Sequence, residues 1–157
     1  MLARDVMVRN VIKVSTEAKV VDVVRLLAEH RIGALPVVND RNEVVGIVTD
    51  GDIVARIRAN RPLVIDALAS IFIFADTEEL PEKARALLGL SVTEVMTRRV
   101  ITVTEETDLE MVATIMTERR LKRVPVVRGR TLVGLICRGD IIKALAQFNY
   151  PPASDHS

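Results

Sequence analysis

An internal repeat constrains the fold of this chain more than any other feature of its sequence. When residues 5–7 are placed over residues 94–96, an offset of 89 residues, the apolar runs at 11–14 and 100–103 also coincide. The same offset aligns residues 36–38 with 125–127, and after one lost residue an offset of 88 aligns residues 51–53 with 139–141. Self-similarity of this extent indicates two copies of one structural unit.

Each copy has the pattern strand, helix, strand, strand, helix. Residues 11–14 form a short β-rich run, and residues 19–30 carry apolar side chains at helical spacing. Residues 35–38 and 44–48 are rich in Val and Ile, are separated by a turn-rich stretch and lack polar alternation, which predicts strands buried on both faces. In the second copy, Thr107 and Glu110 predict a capping box at the start of the matching helix.

The repeat also predicts the domain organisation. One copy is too small to form a stable hydrophobic core by itself. We therefore expect two βαββα repeats that pack with pseudo-two-fold symmetry into one α/β module with two equivalent clefts. The expected parts are a first repeat at 1–59, an inserted linker at 60–90, a second repeat at 91–150 and a polar tail at 151–157.

The insert is strongly apolar over residues 63–74, and a helix is predicted over residues 78–88 with Gly89 at its C-terminal end. Phe72 and Phe74 are two of the three phenylalanines of the chain. Two interpretations remain open: the segment packs on its own domain, or it forms an interface for a second subunit or a partner.

Composition excludes several classes of partner. Lys and Arg number 22 against 21 Asp and Glu, and aromatic residues make up 3% of the chain, so we expect neither nucleic acid nor membrane as a partner. No apolar run approaches the ~20 residues that span a bilayer. The single cysteine, Cys137, excludes an intrachain disulfide and is compatible with the reducing cytoplasm, where we expect the protein.

Catalytic residues are not evident in the sequence. The two histidines are His30, near the end of a helix, and His156, in the polar tail. Nothing resembles a nucleophile with its base, a cluster of metal ligands or a Gly-rich phosphate loop. Cys137 ends an apolar strand, which favours a buried, inert thiol over a reactive one. We therefore expect no catalytic residue, no bound metal and no required cofactor.

The most specific motifs lie around the last two strands of each copy. Residues 31–38 and 45–53, with their counterparts at 120–127 and 133–141, resemble the repeat named after cystathionine β-synthase, the CBS domain. The resemblance covers about two-thirds of the chain. It implies a regulatory pair that binds AMP, ADP, ATP or another adenosyl compound in the clefts between repeats. In such pairs a Thr/Ser-x-x-Asp motif holds the ribose, because a carboxylate accepts hydrogen bonds from both hydroxyls of a diol.

The resemblance implies one complete ligand site, here named cleft A. Residues 49–52 form the full ribose motif, although the same residues also fit a capping box, and both roles remain open. Cations of the facing repeat would meet a phosphate, and Arg98 and Arg99 either join them or are solvated surface. Cleft A joins Thr49 and Asp52 to Thr97, Ile101, Leu121, Lys122 and Arg123.

The second site, cleft B, departs from the family pattern. Cys137 occupies the place of Thr49 and hydrogen-bonds weakly, Val8 occupies the place of Thr97, and Arg31 is the nearest candidate cation. We expect this cleft to be empty, weak or adapted to a less charged ligand. Cleft B joins Asp140 to Ile12, Ile32, Gly33 and Ala34.

Two functions are compatible with these features. The first is an adenine-nucleotide sensor that signals through the angle between repeats or the packing of a homodimer, and that passes its output to an effector protein. The second is a ligand-free scaffold for protein interaction or dimerisation, with residues 63–74 as the working surface.

Overall fold

The structure is a computed structural model, and it describes residues 1–59 and 80–148. Short strands and amphipathic helices alternate along these residues, which confirms the predicted α/β class. The elements are α1 (Ala3–Val6), β1 (Val14–Ser15), α2 (Val20–His30), β2 (Ala34–Val38), β3 (Val44–Thr49), α3 (Asp50–Ala59), α4 (Leu80–Leu88), α5 (Val92–Val95), β4 (Val103–Thr104), α6 (Leu109–Glu118), β5 (Arg123–Arg128), β6 (Thr131–Cys137) and α7 (Arg138–Ala146).

The two copies form sheets of identical topology. The strand orders are β1-β2-β3 and β4-β5-β6, with the first pair of each sheet parallel and the second pair antiparallel. The registers correspond as well, since Leu35 pairs with Val48 and Val124 pairs with Ile136. The internal repeat of the sequence is therefore a repeat of structure.

The chain divides into two compact units that do not coincide with the sequence repeats. The first unit contains the described residues from Ile12 to Val100, and the second contains residues 1–11 together with the chain from Ile101 onward. Each sheet is thus completed by the short helix that precedes the other copy. Backbone hydrogen bonds fix this exchange, from Ala3 N to Thr107 O (2.8 Å) in the second unit and from Val92 N to Ala18 O (2.9 Å) in the first.

Both cores are aliphatic, as the scarcity of aromatic residues predicts. The exchanged helices contribute directly, because Ala3 and Val92 are fully buried. Burying a Val or Leu side chain stabilises a fold by about 1.5–3 kcal/mol, so each short helix is held mainly by packing. Fully buried core residues are Val20, Val23, Leu35, Val37, Val48 and Val92 in the first unit, and Ala3, Val112, Val124, Val126 and Ile136 in the second.

Three local predictions were wrong. The first strand covers Val14–Ser15 rather than residues 11–14, because only these two residues pair with β2. Strands β2 and β5 have buried interiors, but β3 and β6 alternate buried and half-buried residues, since each lies at a sheet edge.

The third wrong prediction concerns the start of α6. Its cap is Asp108, whose carboxylate accepts a hydrogen bond from Glu110 N (3.1 Å). The Thr107 hydroxyl accepts instead from Thr104 N (3.0 Å), in the turn that precedes the helix. A capping side chain serves the N–H two or three residues later, so Asp108 takes the role that the sequence had assigned to Thr107.

The described end of the insert packs on the first unit. Helix α4 ends at Leu88, beside Gly89 as predicted, and Leu87 joins the first core with 3% exposure. Gly89 N donates to Arg85 O (3.1 Å). Phe72 and Phe74, with the rest of residues 60–79, lie outside the described residues, so the two interpretations of the apolar stretch stay open.

Candidate functional site

Residues 49–52 form a capping box where β3 passes into α3. Thr49 N donates to Asp52 Oδ2 (2.9 Å), and Asp52 N donates to Thr49 Oγ1 (3.1 Å). Asp50 N donates to Gly33 O (2.8 Å), which ties the motif to the start of β2. Residues 49–52 therefore do cap α3. Within the described residues, two groups of this box make no further hydrogen bond: the Thr49 hydroxyl as a donor and Asp52 Oδ1 as an acceptor.

Thr97 lies beside this turn because the exchanged segment adds to the edge of β3. Ile47 N donates to Thr97 O (3.0 Å), and Thr97 N donates to Ile47 O (2.8 Å). Directly paired residues share a face, and Thr49 lies two residues beyond Ile47, so both threonine side chains occupy the same face as diagonal neighbours, about 7–8 Å apart. The fold thereby brings Thr97 to the strand that leads into the Thr49–Asp52 capping box, and these residues are here named the Asp52 site (Thr49, Asp52 and Thr97).

A glycine makes this approach possible. A Cβ at Gly46 would overlap the Met96 sulfur and lie 3.2 Å from Thr97 O. The second unit repeats the arrangement, since a Cβ at Gly134 would overlap the Met7 sulfur. The close approach of a methionine side chain therefore requires glycine at both positions, and at Gly46 the backbone oxygen of Thr97 adds to this requirement.

The corresponding place in the second unit has different chemistry. Val8 pairs with Leu135 through two backbone hydrogen bonds of 2.9 and 3.0 Å, and Cys137 N donates to Asp140 Oδ2 (2.7 Å). The backbone and the acidic cap match the first unit, but valine and cysteine replace the two threonines. This Asp140 site (Val8, Cys137 and Asp140) lacks the hydroxyl groups that could share a diol with the carboxylate.

The charges around Cys137 are a further difference between the Asp140 site and the Asp52 site. Burial raises the pKa of the Cys137 thiol, and the negative charge of Asp140 adds to the rise, whereas the Arg123 guanidinium opposes it. Arg123 also pairs directly with Cys137 across β5 and β6. Cys137 is half-buried rather than buried as predicted. A protonated thiol is a poor nucleophile and metal ligand, which is consistent with the prediction of an inert cysteine.

Arg138 is a cation that lies beside Lys122 and that the sequence analysis did not identify. Arg138 N donates to Lys122 O (3.1 Å), and both side chains are exposed. Among the described residues the single ion pair joins Arg128 to Glu105, so neither Lys122 nor Arg138 is paired with a described carboxylate. Alignment at the 88-residue offset could have found Arg138, because it places this arginine over Asp50.

The two surface cations of the exchanged segment differ in their contacts. The Arg98 guanidinium donates to Thr93 O (3.2 Å), so it is engaged locally, and Arg99 is exposed. Arg31, the predicted cation of cleft B, is also exposed and adopts a left-handed conformation (φ 52°) at the end of α2.

The remaining predicted ligand residues are distributed between the units. Ile12 and Ile32 are half-buried against the first core, whereas Gly33 and Ala34 are buried at the start of β2. Leu121 packs on the second core in the same way. The first unit holds Thr49, Asp52, Thr97, Ile12, Ile32, Gly33 and Ala34, and the second holds Ile101, Leu121, Lys122, Arg123 and Asp140.

Two other features are absent from the described residues. They contain no group of three or more His, Cys, Asp or Glu side chains that could hold a metal ion. None of their helices combines the length and the apolar character needed to cross a lipid bilayer.

Curated relatives resemble this chain over most of its length. A protein of Methanocaldococcus jannaschii, MJ1426, is 32% identical over 92% of this chain and 91% of its own length. The Arabidopsis thaliana protein CBSX2, chloroplastic, is 31% identical over 88% of this chain, which spans only 59% of that relative.

Solved structures with ligands are among the neighbours. CBSX2 in complex with AMP superposes with a TM-score of 0.72 at 26% identity, covering 93% of this chain and 96% of that one. The domain pair of MJ0100, in complex with 5′-methylthioadenosine and S-adenosyl-L-methionine, gives a TM-score of 0.67 at 26% identity over 93% and 96% of the two chains. The family model for the CBS domain matches residues 3–59 and 92–147, and the chain therefore belongs to the CBS domain family.

Proposed function

We propose that this chain is a regulatory module that binds an adenosyl ligand, AMP or a related compound, and has no catalytic activity of its own. The observation that supports the proposal most directly is the Asp52 site, where the Thr49–Asp52 capping box leaves Asp52 Oδ1 without a hydrogen bond within the described residues and the backbone of Thr97 pairs with β3. The ligands named for the structures of CBSX2 and the MJ0100 domain pair support the adenosyl class.

The residues of the proposed site have separate roles. Asp52 and Thr49 bind the two ribose hydroxyls, since the capping box holds their side chains in place before a ligand arrives. Thr97 provides a further hydroxyl. The family pattern assigns the charged end of such a ligand to Lys122 and Arg123 and its base to Ile101 and Leu121, which all belong to the second unit. For a weaker second site the pattern assigns Asp140 of the second unit and, in the first unit, Ile12, Ile32, Gly33 and Ala34.

Thermal melting with adenosine, AMP, ADP, ATP and S-adenosylmethionine tests this proposal. A ligand at 100 times its dissociation constant adds about 2.7 kcal/mol to the free energy of unfolding. Chains of this size gain about 2–4 °C in midpoint per kcal/mol, so we expect a rise of about 5–10 °C. The absence of a shift with every adenosyl compound would contradict the proposal.

Asp140 provides a matched control for the key variant. Asp52→Ala and Asp140→Ala each remove one capping carboxylate, so both should destabilise the ligand-free protein by about 1 kcal/mol. Only Asp52→Ala should also abolish the ligand-induced shift. A shift that survives Asp52→Ala and disappears in Asp140→Ala would place the ligand at the other site.

Output through a homodimer is the second part of the proposal. The closing helices of both copies expose apolar side chains at matching positions, Val54 (65%) and Ile142 (64%), then Ile57 (44%) and Leu145 (57%). Such side chains favour burial against a second subunit or an effector protein. We expect Ile142→Asp to lower the mass measured by light scattering, and unchanged mass would contradict a dimer through this face.

The same exposed side chains favour the alternative function, a ligand-free interaction scaffold. The melting series separates the two, because a scaffold would show the Ile142→Asp effect and no ligand shift. In either case we propose a cytoplasmic protein whose partners include neither nucleic acid nor membrane.

A further inference from the structure

Residues 80–97 of the first unit form one continuous segment that ends at the Asp52 site, and this segment is here named the strap (residues 80–97). It consists of α4, a short turn and α5, followed by Met96 and Thr97. The turn is itself ordered, because the Ser91 hydroxyl caps α5 and accepts a hydrogen bond from Thr93 N (3.3 Å). A displacement of α4 therefore reaches Thr97 along a short, hydrogen-bonded path.

Four backbone hydrogen bonds hold the strap to the rest of the first unit, as far as the described residues go. Two lie at the start of α2, where Val92 N donates to Ala18 O and Val20 N donates to Leu90 O, both at 2.9 Å. The other two are the pair that Thr97 forms with β3. The strap is thus fastened at two separate places, and its second fastening is also what brings Thr97 to the Asp52 site.

The strap is packed less completely than the sheet of the same unit. Its buried side chains are Leu87 in α4, Val92 in α5 and Met96 beside Thr97. Every other side chain of residues 81–88 is half-buried or exposed, whereas β2 is buried at all five of its residues. Segments with few buried contacts open locally at a lower free energy than the core, so the strap should open more readily than the sheet.

We infer that the strap opens and closes as one unit and that a ligand at the Asp52 site holds it closed. The coupling to a ligand rests on the proposed function, because the Thr97 hydroxyl leaves the site whenever the strap opens. Such coupling is reciprocal: a ligand that favours the closed strap is bound less tightly when α4 is displaced. Helix α4 is therefore the regulatory end of the strap, and Thr97 is its ligand-binding end.

Hydrogen exchange of the full chain, followed by NMR, tests the strap without any ligand. The amides of Val20, Ile47, Val92 and Thr97 all lose their acceptors when the strap opens. We expect these four amides to share one opening constant, about tenfold or more above that of the amides that join β2 to β3. Exchange of the four amides only together with the sheet would overturn the inference.

AMP extends the test to the ligand. At 100 times its dissociation constant, a ligand that binds only the closed strap slows exchange at these four amides by about 100-fold. In Thr97→Val, compared at the same multiple of its own dissociation constant, we expect little of this slowing to remain. Equal slowing in the variant and the wild type would show that the strap does not respond to the ligand through Thr97.

Variants at the other end of the strap test whether it moves as one unit. Leu87→Ala removes the buried anchor of α4 and should raise exchange at the Thr97 amide by about tenfold or more. Ser91→Ala removes only the cap of α5 and should act in the same direction if the first variant folds poorly. Leu132→Ala is the matched control: it truncates a leucine of similar burial (6% against 3% exposed) in the second unit and should leave exchange at Thr97 unchanged.

The outcomes separate this inference from the proposed function. If no adenosyl compound binds, the proposed function and the coupling to a ligand are both overturned. If AMP binds but leaves exchange at the four amides unchanged, or if Leu87→Ala and Ser91→Ala both leave exchange at Thr97 unchanged, the strap is overturned and the adenosyl-binding function stands.

Discussion

Gly46→Ala adds a single methyl group at the point where the exchanged segment closes on the first sheet. Gly46 lies in β3 and precedes Ile47, whose N–H and C=O both bond to Thr97. The new Cβ would overlap the Met96 sulfur, lie 3.0 Å from Met96 Cγ and lie 3.2 Å from Thr97 O. Met96 is itself 9% exposed, so its side chain has little room to move aside.

The expected cost follows from these contacts. Adding a methyl group to a packed core costs about 1–3 kcal/mol. If the segment shifts instead, two backbone hydrogen bonds of about 0.5–1.5 kcal/mol each are weakened. Alanine also restricts the unfolded chain, which offsets about 0.4–1 kcal/mol. We therefore expect Gly46→Ala to lower the free energy of unfolding by about 0.5–2.5 kcal/mol and the midpoint by about 1–10 °C.

Urea unfolding followed by far-UV circular dichroism measures the change, and two variants control it. Gly139→Ala places its Cβ in open space inside α7, so better helix propensity should raise stability by up to about 1 kcal/mol. Met96→Ala costs about 2–5 kcal/mol alone, but it removes the overlapping atoms, so adding Gly46→Ala to it should cost almost nothing more. A Gly46→Ala protein as stable as wild type would refute the close packing of Met96 and Thr97 on β3.

Three further outcomes test contacts within the second unit. Asp108→Ala should lower the unfolding free energy by about 1 kcal/mol in urea titrations, because it removes the cap of α6. Arg128→Gln should cost about 1–3 kcal/mol in the same assay, since Glu105 is 11% exposed and would lose two hydrogen bonds of 3.0 Å. Burial raises the pKa of Cys137. The protonated thiol therefore contributes to stability below the ordinary thiol pKa, and this contribution is lost as pH rises through the pKa of Cys137 in the folded protein. Native protein should react with iodoacetamide more slowly than urea-unfolded protein at pH 8, and Cys137→Ala should remove the loss of stability at alkaline pH.

The repeat predicted both sheets because their register follows from runs of Val and Ile that recur at a fixed offset. The same equivalence hid the exchange of the opening segments. Residues 1–8 and 90–97 share apolar residues at four equivalent positions, so each segment fits either sheet, and nothing in the pattern decides between its own copy and the other. Only the three-dimensional path of the chain resolves this choice.

Local hydrogen-bond competition explains the prediction that failed at the start of α6. Thr107 and Asp108 are adjacent, and either side chain can cap a helix. Because the Thr107 hydroxyl accepts a hydrogen bond from Thr104 N in the preceding turn, the Asp108 carboxylate caps α6. The sequence identified the part of the candidate site whose residues lie in one local motif, residues 49–52. Arg138 was missed because its proximity to Lys122 depends on a contact between separate segments.

Comparison of the two copies distinguishes what the backbone requires from what a ligand requires. Asp140 forms the same capping hydrogen bond as Asp52, although cysteine and valine replace the neighbouring hydroxyls. An aspartate at this position is therefore fully explained by helix capping, and by itself it indicates no ligand. Support for the proposed binding comes from the side chains that capping does not need, above all Thr97, whose backbone alone would suffice to pair with β3. Thr97→Val keeps that backbone and reproduces the chemistry of Val8, so it should leave stability within about 0.5 kcal/mol while weakening AMP binding. A variant that retains full AMP affinity would show that the hydroxyls of the Asp52 site serve structure alone.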